Sequence, residues 1–167
     1  MTLASGTNAD LPAKFPNLTA RNLGGKMVTL PNEFPGELTL VLITFEHDHQ
    51  REANTWLDAA PELLKKFPGI PCFQVAVINK EYKLGRFVLD RMMRSEISNR
   101  EQWARTVTAY IDKAAFDRAL QIFSEEKTAV LLVDRKGTVL WREQGIYYDL
   151  KGNTLKAKLA SLKPPAE

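Results

Sequence analysis

A single cysteine, Cys72, stands in 167 residues. One thiol excludes an intramolecular disulfide, a dithiol redox pair and a cysteine-rich metal site. Long apolar runs are missing too. The longest stretch, Leu38 to Phe45, is strand-sized and far short of the roughly 20 residues that cross a bilayer as a helix, so the expectation is not transmembrane. Histidine occurs only twice, as His47 and His49. No basic stretch followed by an apolar one opens the chain. Its first ten residues, MTLASGTNAD, are small and polar. That predicts a soluble protein, cytoplasmic or exported after removal of a signal peptide. Charge of one sign is scarce as well: 23 Lys and Arg stand against 20 Asp and Glu, a formal +3. Without a basic stripe carrying interleaved aromatics, no nucleic acid is expected as a partner. One local bias exists in residues 80–105, where Lys80, Lys83, Arg86, Arg91, Arg94, Arg100 and Arg105 outnumber Glu81, Asp90, Glu96 and Glu101. This is either a solvated helix face or a surface for an anionic partner or membrane.

What is present is the balance of a globular domain, 44% hydrophobic and 26% charged. We expect a flexible lead over residues 1–14, one domain over 15–162 and a tail over 163–167. From Phe15 to Pro31 apolar and polar residues alternate around Gly24-Gly25, a hairpin turn signal. LTLVLITF (38–45) and CFQVAVI (72–78) read as strands buried on both faces. Residues 50–66 place Ala53, Trp56, Leu57, Ala60, Leu63 and Leu64 at helical spacing, with Pro61 inside. Residues 81–94 read as a helix with Leu84, Phe87, Val88 and Met92 on one side. Residues 95–100 read as a polar loop and 107–111 as a short strand. Asp112 is a plausible N-cap for a helix through Phe123. AVLLVD (129–134) and TVLWRE (138–143) flank Arg135-Lys136-Gly137 as a hairpin, and a last helix spans about 151–162, stopped by Lys163-Pro164-Pro165. Met92-Met93 are a core or groove feature. Trp56, Trp103 and Trp141 read as core, and Tyr147-Tyr148 as a surface pair or a loop anchor. This order predicts an α/β fold: a mixed central sheet of five strands flanked by helices, with an N-terminal β-hairpin.

Three segments carry a resemblance. FPNLTARNLGGKMVTLP is similar to the opening hairpin of the thioredoxin-like superfamily, in its peroxiredoxin and cytochrome-maturation-thioredoxin branch. LTLVLITF is similar to its central strand, and TAVLLVDRKGTVLWREQG to its closing strand-turn-strand. The resemblance covers residues 15–162 and implies the three-layer thioredoxin-like fold. A narrower likeness, to the mitochondrial ATP-synthase assembly factors of this fold, rests on FPN, Val77-Ile78-Asn79, Trp103, Tyr110, Leu132-Val133-Asp134, Trp141 and Gly145.

The superfamily places its cysteines after the first central strand, where a helix N-terminus stabilises the thiolate. That place here is FEHDHQREA, Phe45 to Ala53, and Gln50 and Ala53 fall near the two cysteine positions. The family's cis-proline precedes the penultimate strand. Here that place reads Glu126-Lys127-Thr128-Ala129, without proline. Both halves of the redox site are absent, so neither a dithiol oxidoreductase nor a peroxiredoxin is expected. Cys72 begins a strand and reads as a core residue, an inert thiol. The vacated loop instead holds Glu46, His47, Asp48, His49, Gln50 and Glu52, with Thr128 beside it. These are the candidate binding residues. His47 and His49 could hold Zn²⁺ or Cu²⁺ together with the carboxylates; otherwise the site needs no cofactor. The leading expectation is a non-redox binding protein, an assembly or chaperone-like factor with a protein partner. The alternatives are a metal-binding protein or metal-dependent enzyme through His47 and His49, and a one-cysteine redox protein through Cys72.

Overall fold

The computed structural model describes residues 12–162. The expected lead before residue 12 and the tail 163–167 lie outside the described residues, as do the side chains of Lys83, Leu84, Arg86 and Phe87. Seven strands are present: β1 (Leu18–Asn22), β2 (Met27–Leu30), β3 (Leu38–Thr44), β4 (Cys72–Asn79), β5 (Thr106–Ile111), β6 (Ala129–Asp134) and β7 (Val139–Gln144). The helices are α1 (His49–Leu63), α2 (Arg86–Glu96), α3 (Arg100–Trp103), α4 (Lys113–Leu120) and α5 (Asp149–Leu162), with a 3₁₀ segment over Lys80–Gly85.

All seven strands form one sheet in the order β2-β1-β5-β4-β3-β6-β7. The three central strands β3, β4 and β5 are parallel and the rest antiparallel. The expected mixed core of five strands, β5-β4-β3-β6-β7, and the N-terminal hairpin are both present, in one continuous sheet. The hairpin joins the sheet through β1 and β5, at Arg21↔Thr108 and Asn22↔Val107. The physical reason is the edge: without β1, the backbone groups of β5 would lie unpaired.

Local chemistry explains most element ends. Gly25 takes φ +94° in the β1–β2 turn, a conformation that costs a side-chain-bearing residue about 1–2 kcal/mol. Asp112 caps α4 by accepting the Ala115 N–H (3.2 Å). In the β6–β7 turn the Asp134 carboxylate accepts the N–H groups of Lys136 (3.0 Å) and Thr138 (2.9 Å). Two ends differ from expectation. Helix α1 stops at Leu63 rather than 66, and Pro61 sits in its last turn, where it withholds the N–H that would meet the Leu57 carbonyl and weakens the helix just before its end. Helix α4 stops at Leu120 because Gln121 turns left-handed at φ 57°. Phe123, expected on its apolar face, is consequently 96% exposed. The polar stretch 95–100 contains a short break followed by the one-turn helix α3, capped by Asn99, whose side chain accepts the Glu101 N–H (3.0 Å).

The alternation of β3 sorts the core into two layers. Val41 and Ile43 face Phe15, Phe34, Phe116 and Leu120 on one side of the sheet. Leu40 and Leu42 face Trp56, Leu63, Leu155 and Leu159 on the other, under α1 and α5. A smaller cluster of Leu23, Ala76, Met93 and Ile97 seats α2. Met93 is thus core, while Met92 is exposed. Trp56 is fully buried; Trp141 and Trp103 are partly buried against the second and third clusters. Tyr147 anchors the loop before α5, with its ring 5.1 Å from that of Trp56, and Tyr148 is exposed. Gly152, inside α5, lets this ring approach: a Cβ there would lie 2.5 Å from the Tyr147 hydroxyl.

Candidate functional site

Strand β3 ends at Thr44, paired with Ala76 of the parallel strand β4, which runs on to Asn79, and the loop 45–48 leads from the end of β3 into α1. In open α/β sheets ligands gather at the carboxyl ends of the parallel strands. The expected binding residues divide here into a buried knot and an exposed rim.

The knot is His49, Gln50, Glu52 and Thr128. His49 is buried and both its ring nitrogens are committed. Nδ1 accepts the backbone N–H of Phe45 (3.1 Å), which places the ring proton on Nε2, and Nε2 donates to the Glu126 carbonyl (3.1 Å). The Thr128 hydroxyl donates to the His49 carbonyl (3.2 Å). Its backbone N–H donates to Glu52 Oε1 (2.7 Å). The residue standing where the superfamily resemblance places a proline therefore has an N–H, and a carboxylate from the first turn of α1 satisfies it. Gln50, near one expected cysteine position, is buried in a reciprocal amide pair. Its Nε2 donates to Gln74 Oε1 (3.1 Å) and to Asn54 Oδ1 (3.0 Å), and Gln74 Nε2 donates back to Gln50 Oε1 (2.6 Å). Ala53, near the other, is fully buried.

The rim is Glu46, His47 and Asp48. Asp48 has a side chain 99% exposed. His47 Nε2 contacts Glu96 Oε1 at the end of α2. The two histidines are thus turned to different partners, His47 to α2 and His49 to the segment before β6. Coordination by His49 would break one of two buried hydrogen bonds. Among the described residues no group of three or more His, Cys, Asp and Glu side chains is placed to hold a metal ion.

Between the loop 44–50, the ends of β4 and the segment 81–96 lies a pocket of about 580 Å³. Its walls are Phe45, Val77, Ile78, Leu89 and Met93, and Tyr82 and Val88 stand at its mouth, 63% and 67% exposed. Beside the knot, on the opposite side from this pocket, is a second polar group. Lys113 Nζ pairs with Glu125 (2.9 Å) and lies over the Phe45 ring (5.9 Å). Asp117 is held up to about 7 by burial, by its hydrogen bond with Glu125 and by the charge of Glu125, with Lys113 acting against. Burial also pushes Glu125 up, but its hydrogen bonds with Asp117 and Lys113 outweigh that, and it sits below the usual carboxylate range. Two carboxyl groups this close disfavour each other's ionisation, and Asp117 is the one held up.

Cys72 lies at the other end of the sheet, the first residue of β4. Burial pushes its thiol up to about 11, against the pull of the Arg105 charge, so the thiolate that redox chemistry requires is scarce at neutral pH.

Sequence reasoning missed Gln74, Glu96 and the Asp117–Glu125 pair. Gln74 had a signal: it is the one polar residue in the apolar run CFQVAVI, and a polar side chain buried on a central strand requires a partner. Glu96 meets His47 from an element distant in sequence, and the Asp117–Glu125 pair depends on the left-handed turn at Gln121 that lies between them, so neither left a local trace.

Comparison with solved structures places this architecture. The chain is similar to a candidate electron transfer protein from Aquifex aeolicus VF5 (13% identity, TM-score 0.64, covering 90% of this chain and 97% of that one). It is similar to the thioredoxin domain of a thiol-disulfide oxidoreductase from Bacteroides vulgatus (20%, 0.56, 88% and 96%). It is also similar to BsSco, a member of the Sco family of cytochrome c oxidase assembly proteins (15%, 0.58, 92% and 96%). No family model and no curated protein matches the sequence. The chain has the thioredoxin-like fold, and with one cysteine in its whole length it lacks the paired thiols of a dithiol centre. No helix among the described residues is long and apolar enough to cross a membrane.

Proposed function

We propose that this chain is a redox-silent thioredoxin-like binding protein, an assembly or chaperone-like factor that holds an apolar segment of a protein partner. The observation that carries the reading is the 580 Å³ pocket at the carboxyl ends of β3 and β4. It opens beside the loop that bears sulfur in redox members of the superfamily, and its lining is mainly apolar, with Glu46, Glu81 and Glu96 also on it. Where the sequence resemblance puts the thiols, Gln50 lines it with an amide tied to Gln74, and Ala53 is buried in the core. A rigid knot behind an apolar pocket suits holding rather than reacting. The fold likeness to an assembly protein of the Sco family agrees with this role, as does the sequence resemblance to ATP-synthase assembly factors.

Two measurements test it. An array of immobilised peptides should retain the protein in proportion to their content of Leu, Ile and Phe. The exposed substitution Val88→Glu, which places a charge at the pocket mouth, should abolish that retention without lowering the unfolding midpoint. Insulin-disulfide reduction with a thiol donor should run at the protein-free rate. Turnover that Cys72→Ser abolishes would replace the reading with one-cysteine redox chemistry, and retention unchanged in Val88→Glu would remove the pocket from it.

A further inference from the structure

A second pocket of about 530 Å³ lies between the C-terminal half of α1 and the segment leading from α2 into α3. It sits at the start of β4, whereas the pocket of the proposed function sits at its end. Leu57, Leu64, Phe67 and Ile70 make its apolar wall. Its polar end is formed by Asn99 and Arg105. The Asn99 oxygen is committed to capping α3, which leaves its amide N–H groups as the donors that it can offer a ligand.

Arg105 is the unusual residue. Its backbone is fully used: its N–H donates to the Gln102 carbonyl (2.9 Å), and its carbonyl accepts from Gln74 N–H (2.8 Å) and Gln102 Nε2 (3.2 Å). Its side chain, by contrast, makes no ion pair and no hydrogen bond among the described residues. The Nε atom is buried with no partner. A buried donor left unmade costs stability, more so when it belongs to a charged group, and a guanidinium fork is shaped to take a carboxylate through two parallel N–H groups. The pocket holds two acidic side chains as well. Glu96 is engaged by His47, and Asp58 is exposed; neither pairs with Arg105.

We propose that this pocket binds a carboxylate bearing an aliphatic chain. The carboxylate takes Arg105 and the Asn99 amide, and the chain lies along Leu57, Leu64, Phe67 and Ile70. The volume falls within the range of small-molecule sites, about 300–1,000 Å³. An apolar wall next to an unpaired guanidinium selects for a ligand with both parts. A short alcohol or amine of the same length lacks the anion, and a small anion lacks the tail. Two sources share the chemistry, a fatty acid and a peptide ending in an apolar residue.

The test titrates the full chain with octanoate, octylamine, N-acetyl-leucyl-leucine and the amide of that dipeptide, by calorimetry and by the ¹⁵N resonance of Arg105 Nε. Octanoate or the free dipeptide should saturate one site per chain and move the Arg105 Nε–H signal. Octylamine and the dipeptide amide should do neither. Arg105→Gln should weaken binding about tenfold or more, the loss of one charge-assisted pair, and Arg105→Lys should recover part of it. Octanoate alone binding identifies the fatty-acid source, and the free dipeptide binding more tightly identifies the peptide terminus. Equal binding by Arg105→Gln, equal binding of octylamine, or an Arg105 signal that stays still while heat is released would overturn the proposal. Should Arg105→Gln unfold, the resonance of the unmodified protein still decides. Neither result bears on Val88→Glu, which reports on the other pocket.

Discussion

Replacing Glu52 should show how much of the vacated site's rigidity comes from one carboxylate. Glu52 Oε1 accepts the backbone N–H of Thr128 at 2.7 Å, and Thr128 is fully buried. In Glu52→Ala that N–H loses its carboxylate partner. An unmade buried donor costs about 1–3 kcal/mol, and hydrogen bonds to charged groups sit at the upper end. The expected loss is therefore about 2–3 kcal/mol. For a domain of this size 1 kcal/mol moves Tm by about 2–4 °C, so the midpoint should fall by about 5–10 °C. Glu52→Gln keeps an acceptor oxygen at the same reach and gives up only the charge, so about 1 kcal/mol is expected. Urea unfolding gives the free energies. Amide hydrogen exchange gives the local reading: protection of Thr128 should collapse in the alanine variant and survive partly in the glutamine variant. An alanine variant within about 0.5 kcal/mol of the parent, the ordinary scatter of surface substitutions, or one with Thr128 still protected, would refute the reasoning.

Three further outcomes are expected. The folded value of Asp117, about 7, lies above the ordinary 3.8, so its contribution to stability is complete below about pH 4 and is lost as pH rises through 7. Solvent screening at this partly open site reduces the loss to about 1 kcal/mol, and urea midpoints of the parent should fall between pH 5 and 8 while those of Asp117→Asn stay level. Gln121 holds φ 57°, so Gln121→Gly should raise stability by about 1 kcal/mol, read from the thermal midpoint; an unchanged or lower midpoint would contradict it. Zinc titration followed by calorimetry should show no stoichiometric site, because His49 has both ring nitrogens engaged; one site per chain that disappears in His47→Ala, His49→Ala would restore the metal reading.

The fold was legible where the sequence repeats a period or bears a turn residue. The runs Leu38 to Phe45 and Cys72 to Ile78 announce strands buried on both sides, and the structure buries them between two layers. The Gly24-Gly25 and Asp134-x-x-Gly137 turns are chemical necessities and were readable as such. The end of α4 was not, because a left-handed Gln121 carries no glycine or asparagine to mark it; the apolar Phe123 invited continuation instead. That β1 closes the edge of β5 was equally hidden, since pairing between strands some 85 residues apart depends on the assembled sheet. At the site, sequence order alone grouped His47 with His49. Position on the helix separates them: His49 opens α1 and turns inward, whereas His47, two residues earlier in the loop, stays outside and reaches α2.

The packing around Trp56 makes this protein its own optical gauge. The indole is fully buried, its Nε1 donates to the Gly145 carbonyl (2.8 Å), and the rings of Trp141 and Tyr147 stand edge-on at 6.1 and 5.1 Å. Three pieces of chain meet at that fluorophore: α1, the end of β7 and the loop that launches α5. Undocking α5 would wet the indole and redden its emission while the seven-stranded sheet still gave its full far-ultraviolet signal, so the order in which the two spectra change on unfolding tells whether the C-terminal helix leaves before the sheet opens.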